Sequence, residues 1–266
     1  MKYGFIGTGC MGGALSTACA KAIGPEDILL SNRSPEKAQA LAEKLGAIPA
    51  DNETITRDCD VIFLGVKPQT MAQMLLPLQP ILTGRRTPFV LVSMAAGVTI
   101  EALQDMAGGR YPVVRIMPNT ACAVGAGLTL YDANALLTKP QLDAFLADMA
   151  ASGRLEALPE HLIDAGSAVA GCGGAFACLF MEGLADGAVT CGLPRDKANT
   201  FAAQMLLGAA RLALESGKPF GQMKDEICSP GGTTIAGVRA LEEGGLRAAA
   251  MNAVIAAYEK TLQLKK

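Results

Sequence analysis

Few side chains in this sequence are equipped for chemistry, and those with the clearest spacing fall in Cys228-Ser229-Pro230-Gly231-Gly232-Thr233-Thr234-Ile235-Ala236-Gly237. Pro230 and the two glycines break the backbone, and the apolar spacing Ile235, Val238, Leu241 then predicts a helix. A glycine turn therefore opens onto a helix N-terminus. The first amides of a helix have no acceptor inside it, and the macrodipole adds about half a positive charge there. A carboxylate or a phosphate can rest on that bare backbone, with the hydroxyls of Ser229, Thr233 and Thr234 beside it. A capped helix after a glycine turn is also an ordinary structural device, so these residues alone leave both readings open.

The second constellation is Gly7-Thr8-Gly9-Cys10-Met11-Gly12, which follows the short apolar run Lys2 to Ile6 and precedes the helical pattern Ala14 to Ala20. Strand, G-x-G-x-x-G and helix in that order form the dinucleotide fingerprint: Gly7 for the tight turn, Gly9 for approach of the pyrophosphate, Gly12 for helix packing. The next strand, Ile28 to Leu30, ends in Ser31-Asn32-Arg33-Ser34. An NAD site wants an acid at this tip to accept from the ribose 2′-hydroxyl, whereas Asn32, Arg33 and Ser34 offer donors, including a guanidinium suited to a 2′-phosphate. The expected cofactor is NADPH, with NADH as a weaker substitute. Ser34 is also placed to cap the helix that Pro35 begins, and Arg33 is also read as a solvated side chain.

These sites need a scaffold, and the rest of the chain supplies one. Its 266 residues, 50% hydrophobic and 18% charged, suit two domains with a substantial core. Further apolar runs at Val61–Leu64, Phe89–Val92, Val113–Ile116, Leu128–Tyr131 and Leu155–Ala157 read as strands, with helical patterns between them. Each run up to Ile116 ends in a turn of small or polar residues, among them Gly65-Val66-Lys67-Pro68, where ligands of such sheets collect. The fold class is α/β: a doubly wound Rossmann domain over residues 1–158, then an all-helical domain over 159–266. In that second part, broad apolar stripes and small residues such as Ala185, Ala188, Ala202 and Gly208 leave more surface than a few helices bury alone, which points to a homodimer.

The net charge of -2 and the dispersed Lys and Arg residues argue against a nucleic-acid partner. Glu182, Asp186, Arg195 and other charges punctuate the apolar helices, which argues against a membrane span, and with no signal segment in residues 1–9 the expected compartment is the cytoplasm. Eight cysteines without a C-x-x-C pair, and His161 as the one histidine, suggest reduced packed thiols and no metal site.

The run Lys224 to Gly237, followed by Leu241-Glu242, Gly245 and Arg247, resembles the signature of the pyrroline-5-carboxylate reductase family. The resemblance extends from Gly4 to about Leu262 and implies reduction of 1-pyrroline-5-carboxylate to L-proline by hydride transfer from NADPH. It implies that backbone amides of Gly231 to Thr234 hold the substrate carboxylate and that the Thr234 hydroxyl, with Ser229 nearby, serves the ring nitrogen. It adds Asn52, Val66-Lys67-Pro68, Ala95, Ala96 and Asn119 to the cofactor side, a helical part that intertwines two subunits, and a larger ring of dimers as an extended assembly. For Lys67 a solvated position before a proline-opened helix, for Asn52 a helix cap, and for Asn119 a local turn bond are the competing readings. Two segments depart from the family pattern. Ala170-Gly171-Cys172-Gly173-Gly174-Ala175-Phe176 replaces its Ser-Gly-Ser-Gly-Pro-Ala-Tyr, and Gly217-Lys218-Pro219-Phe220 lacks its acid. The alternatives are a related imine or β-hydroxyacid reductase and a non-catalytic NADP(H) sensor. The hydroxyacid enzymes use a helical lysine that residues 175–191 do not contain.

Overall fold

In a computed structural model, which describes residues 1–263, the chain begins as alternating strands and helices. These are β1 (Tyr3–Ile6), α1 (Cys10–Cys19), β2 (Ile28–Ser31), α2 (Pro35–Leu45), β3 (Ile48–Pro49), α3 (Asn52–Asp58) and β4 (Val61–Leu64). There follow α4 (Pro68–Leu75), α5 (Gln79–Gly84), β5 (Val90–Ser93), α6 (Ile100–Ala107), β6 (Val113–Met117), β7 (Gly127–Ala133), α7 (Lys139–Met149) and β8 (Gly153–Ala157). Only helices come after: α8 (Glu160–Ala170), α9 (Gly173–Thr190), α10 (Arg195–Ser216), α11 (Phe220–Ile227), α12 (Thr233–Glu243) and α13 (Leu246–Gln263). The α/β class read from the sequence, a Rossmann sheet and then a helical region, is the class observed.

The sheet runs β3-β2-β1-β4-β5-β6-β7-β8 and is parallel except for the β6–β7 pair. β1, β2, β4, β5 and β6 are buried along their whole length, as strands covered by helices on both faces must be. At their centre Phe5 and Phe63 stack, with ring centroids 4.3 Å apart. β3 is absent from the sequence reading for a simple reason: it has two exposed residues, one of them a proline that only an edge tolerates. Connections leave β1 first toward β2 and β3, then return to β4 on the other side. That reversal opens a crevice beyond the carboxyl ends of β1 and β4.

Close packing divides the chain between Cys172 and Gly173, with the end of α13 from Ala257 joining the first unit. Residue 159 marks a different boundary, the one where strands stop. α8 lies between the two and is fastened to the sheet by charge. The Arg115 guanidinium, 1% exposed on β6, pairs with Asp164 at 2.6 Å and with Glu160 at 3.4 Å. Glu160 Oε1 also accepts from the Ile100 amide that begins α6, and the Glu160 amide donates to Asp132 at the end of β7.

The second unit is built differently. Its buried hydrophobic cluster is Ala185, Ala198 and Ala202, where α9 and α10 approach closely, while Leu179, Leu207, Leu214 and Phe220 are at least 60% exposed. Residues 160–190 are long and apolar enough to cross a membrane by length and composition, with a mean hydropathy of 1.6. The stretch is two helices, broken at Gly171-Cys172, and Glu182 and Asp186 interrupt the second.

Removing the centre of the α8 fastening leaves Asp164 and Glu160 without their cation. Arg115→Ala should therefore lower unfolding free energy by about 3–5 kcal/mol, read from the urea midpoint at unchanged slope. A loss below about 1 kcal/mol would show that packing and the Glu160 and Ala170 hydrogen bonds hold α8 without the ion pairs.

Candidate functional site

The crevice is made by glycines because nothing larger fits. A Cβ on Gly7, where φ is +100°, would lie 2.7 Å from the Gly65 carbonyl carbon, and one on Gly65 would lie 2.4 Å from the Gly7 oxygen. A Cβ on Gly12 would meet that same oxygen at 2.2 Å. Gly9 has nothing within 4 Å, so its missing side chain leaves space rather than avoiding a neighbour. α1 begins there with Gly9 as N-cap, no side-chain cap and no acid in its first turn. The Gly13 amide closes the first helical bond to Gly9, which leaves the amides of Cys10, Met11 and Gly12 free to hold an anion. These are the conditions a pyrophosphate requires, and the residues present fit a dinucleotide.

At the tip of β2, Arg33 is exposed and makes no ion pair among the described residues. Ser34 occupies the N-cap position of α2, as its sequence suggested, yet its hydroxyl makes no capping bond. Asn32 spends its side chain inside the loop: Oδ1 accepts from the Ser34 amide at 3.1 Å and Nδ2 donates to Thr8 Oγ1 at 3.1 Å. Beside this tip lies a cavity of about 890 Å³ lined by Ser31, Asn32, Asp51 and Asn52 among others. Asn52 does not cap α3. Asp51 does, accepting from the Thr54 amide at 2.7 Å, and that bond holds its carboxyl below the usual range. Asn52 Oδ1 instead accepts from the Ser31 hydroxyl at 2.5 Å, which turns its amide donor away from Ser31.

The remaining turns contribute unequally. Val66 and Pro68 are half-buried; Lys67 is exposed, and its carbonyl, as N-cap of α4, accepts from Thr70. Ala95 is buried in the core at 3% exposure, so its side chain packs against protein, while Ala96 is half-buried. Asn119 Nδ2 donates to the Ala170 carbonyl at 2.9 Å and its Oδ1 accepts from the Leu128 amide at 3.4 Å. The Asn119 side chain thus ties the turn after β6 to β7 and to the end of α8.

In the second unit, Gly231 has φ +69° and Gly232 is the N-cap of α12, again with no side-chain cap and no acid in the first turn. The Gly232 amide donates to the Ser229 carbonyl at 3.1 Å, so it is engaged within the turn. The Ala236 amide closes back to Gly232, which leaves the amides of Thr233, Thr234 and Ile235 unspent. The free Ile235 amide is one that the sequence does not announce, whereas the Gly232 amide, which looks available there, is engaged within the turn. Ser229 packs its Oγ so close to Gly232 that a Cβ there would lie 2.4 Å from it. Ser229, Thr233 and Thr234 are exposed, and their hydroxyls bond no described residue. Just upstream, Lys218 Nζ donates to Glu226 at 2.8 Å, a bond that holds that carboxyl below its ordinary range.

The pattern for pyrroline-5-carboxylate reductase dimerisation matches residues 160–264, and that for NADP oxidoreductase, coenzyme F420-dependent, matches residues 2–97. The pyrroline-5-carboxylate reductase of Methanosarcina acetivorans is 41% identical, covering 100% of this chain and 98% of the relative. That of Escherichia coli is 38% identical over 100% and 98%. Among solved structures, Plasmodium falciparum pyrroline carboxylate reductase with NADP bound superposes with a TM-score of 0.89 at 32% identity, over 100% of this chain and 98% of that one. The Coxiella burnetii pyrroline-5-carboxylate reductase gives 0.87 at 33%, with the same coverage. Matched over its whole length by relatives at 38% and 41% identity, the chain belongs to the pyrroline-5-carboxylate reductase family.

Proposed function

We infer that the protein reduces 1-pyrroline-5-carboxylate to L-proline with NADPH, the last step of proline biosynthesis. One observation carries this reading. α12 opens on three unspent amides flanked by three unspent hydroxyls, with no acid or base in its first turn. NADPH supplies the hydride when bound. The substrate already carries a C=N bond, which is strongly electrophilic once protonated, so the protein has to hold and orient it more than to activate it.

The amides of Thr233, Thr234 and Ile235 hold the carboxylate, helped by the helix dipole. The Thr234 hydroxyl orients the ring nitrogen, and Ser229 completes the rim of the turn. As hydride reaches the imine carbon, the protonated nitrogen becomes a neutral secondary amine, and the hydroxyl accepts from its N–H throughout. On the cofactor side, Cys10, Met11 and Gly12 amides hold the pyrophosphate. Arg33, Ser34 and the Asn52 amide face the 2′-phosphate and adenosine ribose, with Thr8, Asn32, Val66, Lys67, Pro68 and Ala96 as the walls and Ala95 packed in the core behind them. Asn119 shapes the turn that borders the nicotinamide through its bonds to Ala170 and Leu128. We assign residues 1–158 to cofactor binding and 159–266 to substrate binding and dimerisation.

The dimer is the working unit, because a cluster of three alanines leaves the large apolar side chains of the second unit for a second copy to cover. A solution mass at a whole multiple of the dimer, above twice the 27.4 kDa chain, is what a ring of dimers requires. All eight cysteines are free, which suits the reducing cytoplasm.

Thr234→Ala should lower kcat/KM for the imine by about 1–3 kcal/mol of transition-state stabilisation and leave NADPH affinity nearly unchanged; unaltered turnover removes the role given to Thr234. Gly9→Ala and Gly12→Ala should separate fit from function. Gly9→Ala has room within the chain and should keep the wild-type melting temperature while weakening NADPH, whereas Gly12→Ala should lose both. Arg33→Ala should weaken NADPH more than NADH, and an equal loss for the two would take the 2′-phosphate away from Arg33.

A further inference from the structure

The cofactor crevice is held by two loops that are distant in sequence and bonded to each other. The glycine loop hangs from the end of β2 through the Ser31 carbonyl, which accepts from the Gly7 amide at 2.9 Å and the Thr8 amide at 3.2 Å. Those bonds are backbone to backbone and indifferent to side chain. The Thr8 hydroxyl adds a bond that depends on its identity: Oγ1 accepts from Asn32 Nδ2 at 3.1 Å, and it lies 3.5 Å from the Ser31 carbonyl as a donor. Asn32 is half-buried, and with Nδ2 committed to Thr8 its Oδ1 is pointed at the Ser34 amide.

That last bond is a side chain closing a turn on the backbone two residues on, a local device that fixes the intervening residue. Here the intervening residue is Arg33. The Ser34 hydroxyl is left uncapped beside it. On the reading that NADPH is the hydride donor, Arg33 and Ser34 form the part of the site that meets the 2′-phosphate, and no described residue bonds the Arg33 side chain.

We propose that Thr8, on the pyrophosphate loop, is a positioning residue for coenzyme selectivity: its hydroxyl locks Asn32, and Asn32 locks the Arg33-Ser34 turn in the form that accepts a 2′-phosphate. The inference rests on the NADPH reading above and adds to it, since a residue of the pyrophosphate loop then acts on the 2′ side of the adenosine ribose. Without the Thr8 acceptor, Asn32 Nδ2 seeks water, its amide is free to rotate, and the turn around Arg33 samples conformations that must be re-ordered on binding. NADH has no 2′-phosphate and does not draw on that order.

The test measures binding rather than turnover. Dissociation constants for NADPH and NADH are taken by calorimetry on the full-length protein, for the wild type, Thr8→Val, Thr8→Ser, Asn32→Ala and the Thr8→Val/Asn32→Ala double variant. Thr8→Val should lower the NADPH-to-NADH affinity ratio by about three- to tenfold, the range of one hydrogen bond. Thr8→Ser keeps the hydroxyl and should restore the ratio. Asn32→Ala should lower the ratio by a similar factor, and the double variant should lower it no further, because the two residues act through one bond. A general loosening of the loop lowers both affinities together and leaves the ratio intact, and that result overturns the proposal, as do additive losses in the double variant. A wild type that binds NADPH no better than NADH overturns the cofactor reading itself, and the proposal with it.

Discussion

At the ends of β1 and β4 two stretches of backbone pass closer than any side chain allows, and the rest of the first unit is arranged to keep them there. Gly7 and Gly65 face each other without a Cβ between them, and Gly12 brings α1 against the Gly7 carbonyl. Glycine costs conformational entropy on folding, so this meeting has to be offset from elsewhere. The offset lies directly behind it, where Phe5 and Phe63 stack with Tyr3 and Phe145 alongside in a core that excludes water. The crevice, the aim of α1 and the free amides at its start all follow from this one approach.

The same electrostatic device occurs twice, with different neighbours. α1 and α12 each begin at a glycine N-cap, each lack a side-chain cap, and each carry no acid in the first turn. In α1 the first residues are Cys10, Met11 and Gly12, which offer backbone only and suit an anion that needs to be held. In α12 they are Thr233 and Thr234, which add directional hydroxyls and suit an anion whose attached ring has to be oriented. Capping either helix from within would satisfy the amides and remove the site. The missing caps are therefore the functional feature, and the chain stabilises both helices by other means.

How much of this is legible in the sequence depends on whether a residue acts through its type or through its neighbours. Strand-to-turn transitions, the glycine fingerprint and the α12 turn announce themselves by spacing, and the sheet apart from β3 and the following helices come out as read. The hydrogen bonds that support these residues do not. That Asp51 and not Asn52 caps α3, that Ser34 leaves its hydroxyl free, and that Asn32 reaches Thr8 are facts of geometry across 24 positions or fewer, where several polar residues of equal aptitude compete. Gly232 shows the same limit: its amide looks available in sequence, and only the turn to the Ser229 carbonyl engages it. The buried pair of Arg115 and Asp164 is hidden differently. Arg115 stands in an apolar strand where nothing local marks its partner, and a residue on α8, nearly fifty positions later, supplies the charge.

That fastening also bears on the departure at Ala170 to Phe176, where serine hydroxyls common in the family are replaced by Ala170 and Cys172. A tether made through such hydroxyls would be lost with them. Here the end of α8 is held at its backbone instead, by the Asn119 amide on the Ala170 carbonyl, a bond that any residue at position 170 provides. The start of the helix is held by Arg115 and by the Glu160 bonds to α6 and β7. With both ends fixed by groups outside the departing segment, α8 keeps its place against the sheet while the side chains at its end change.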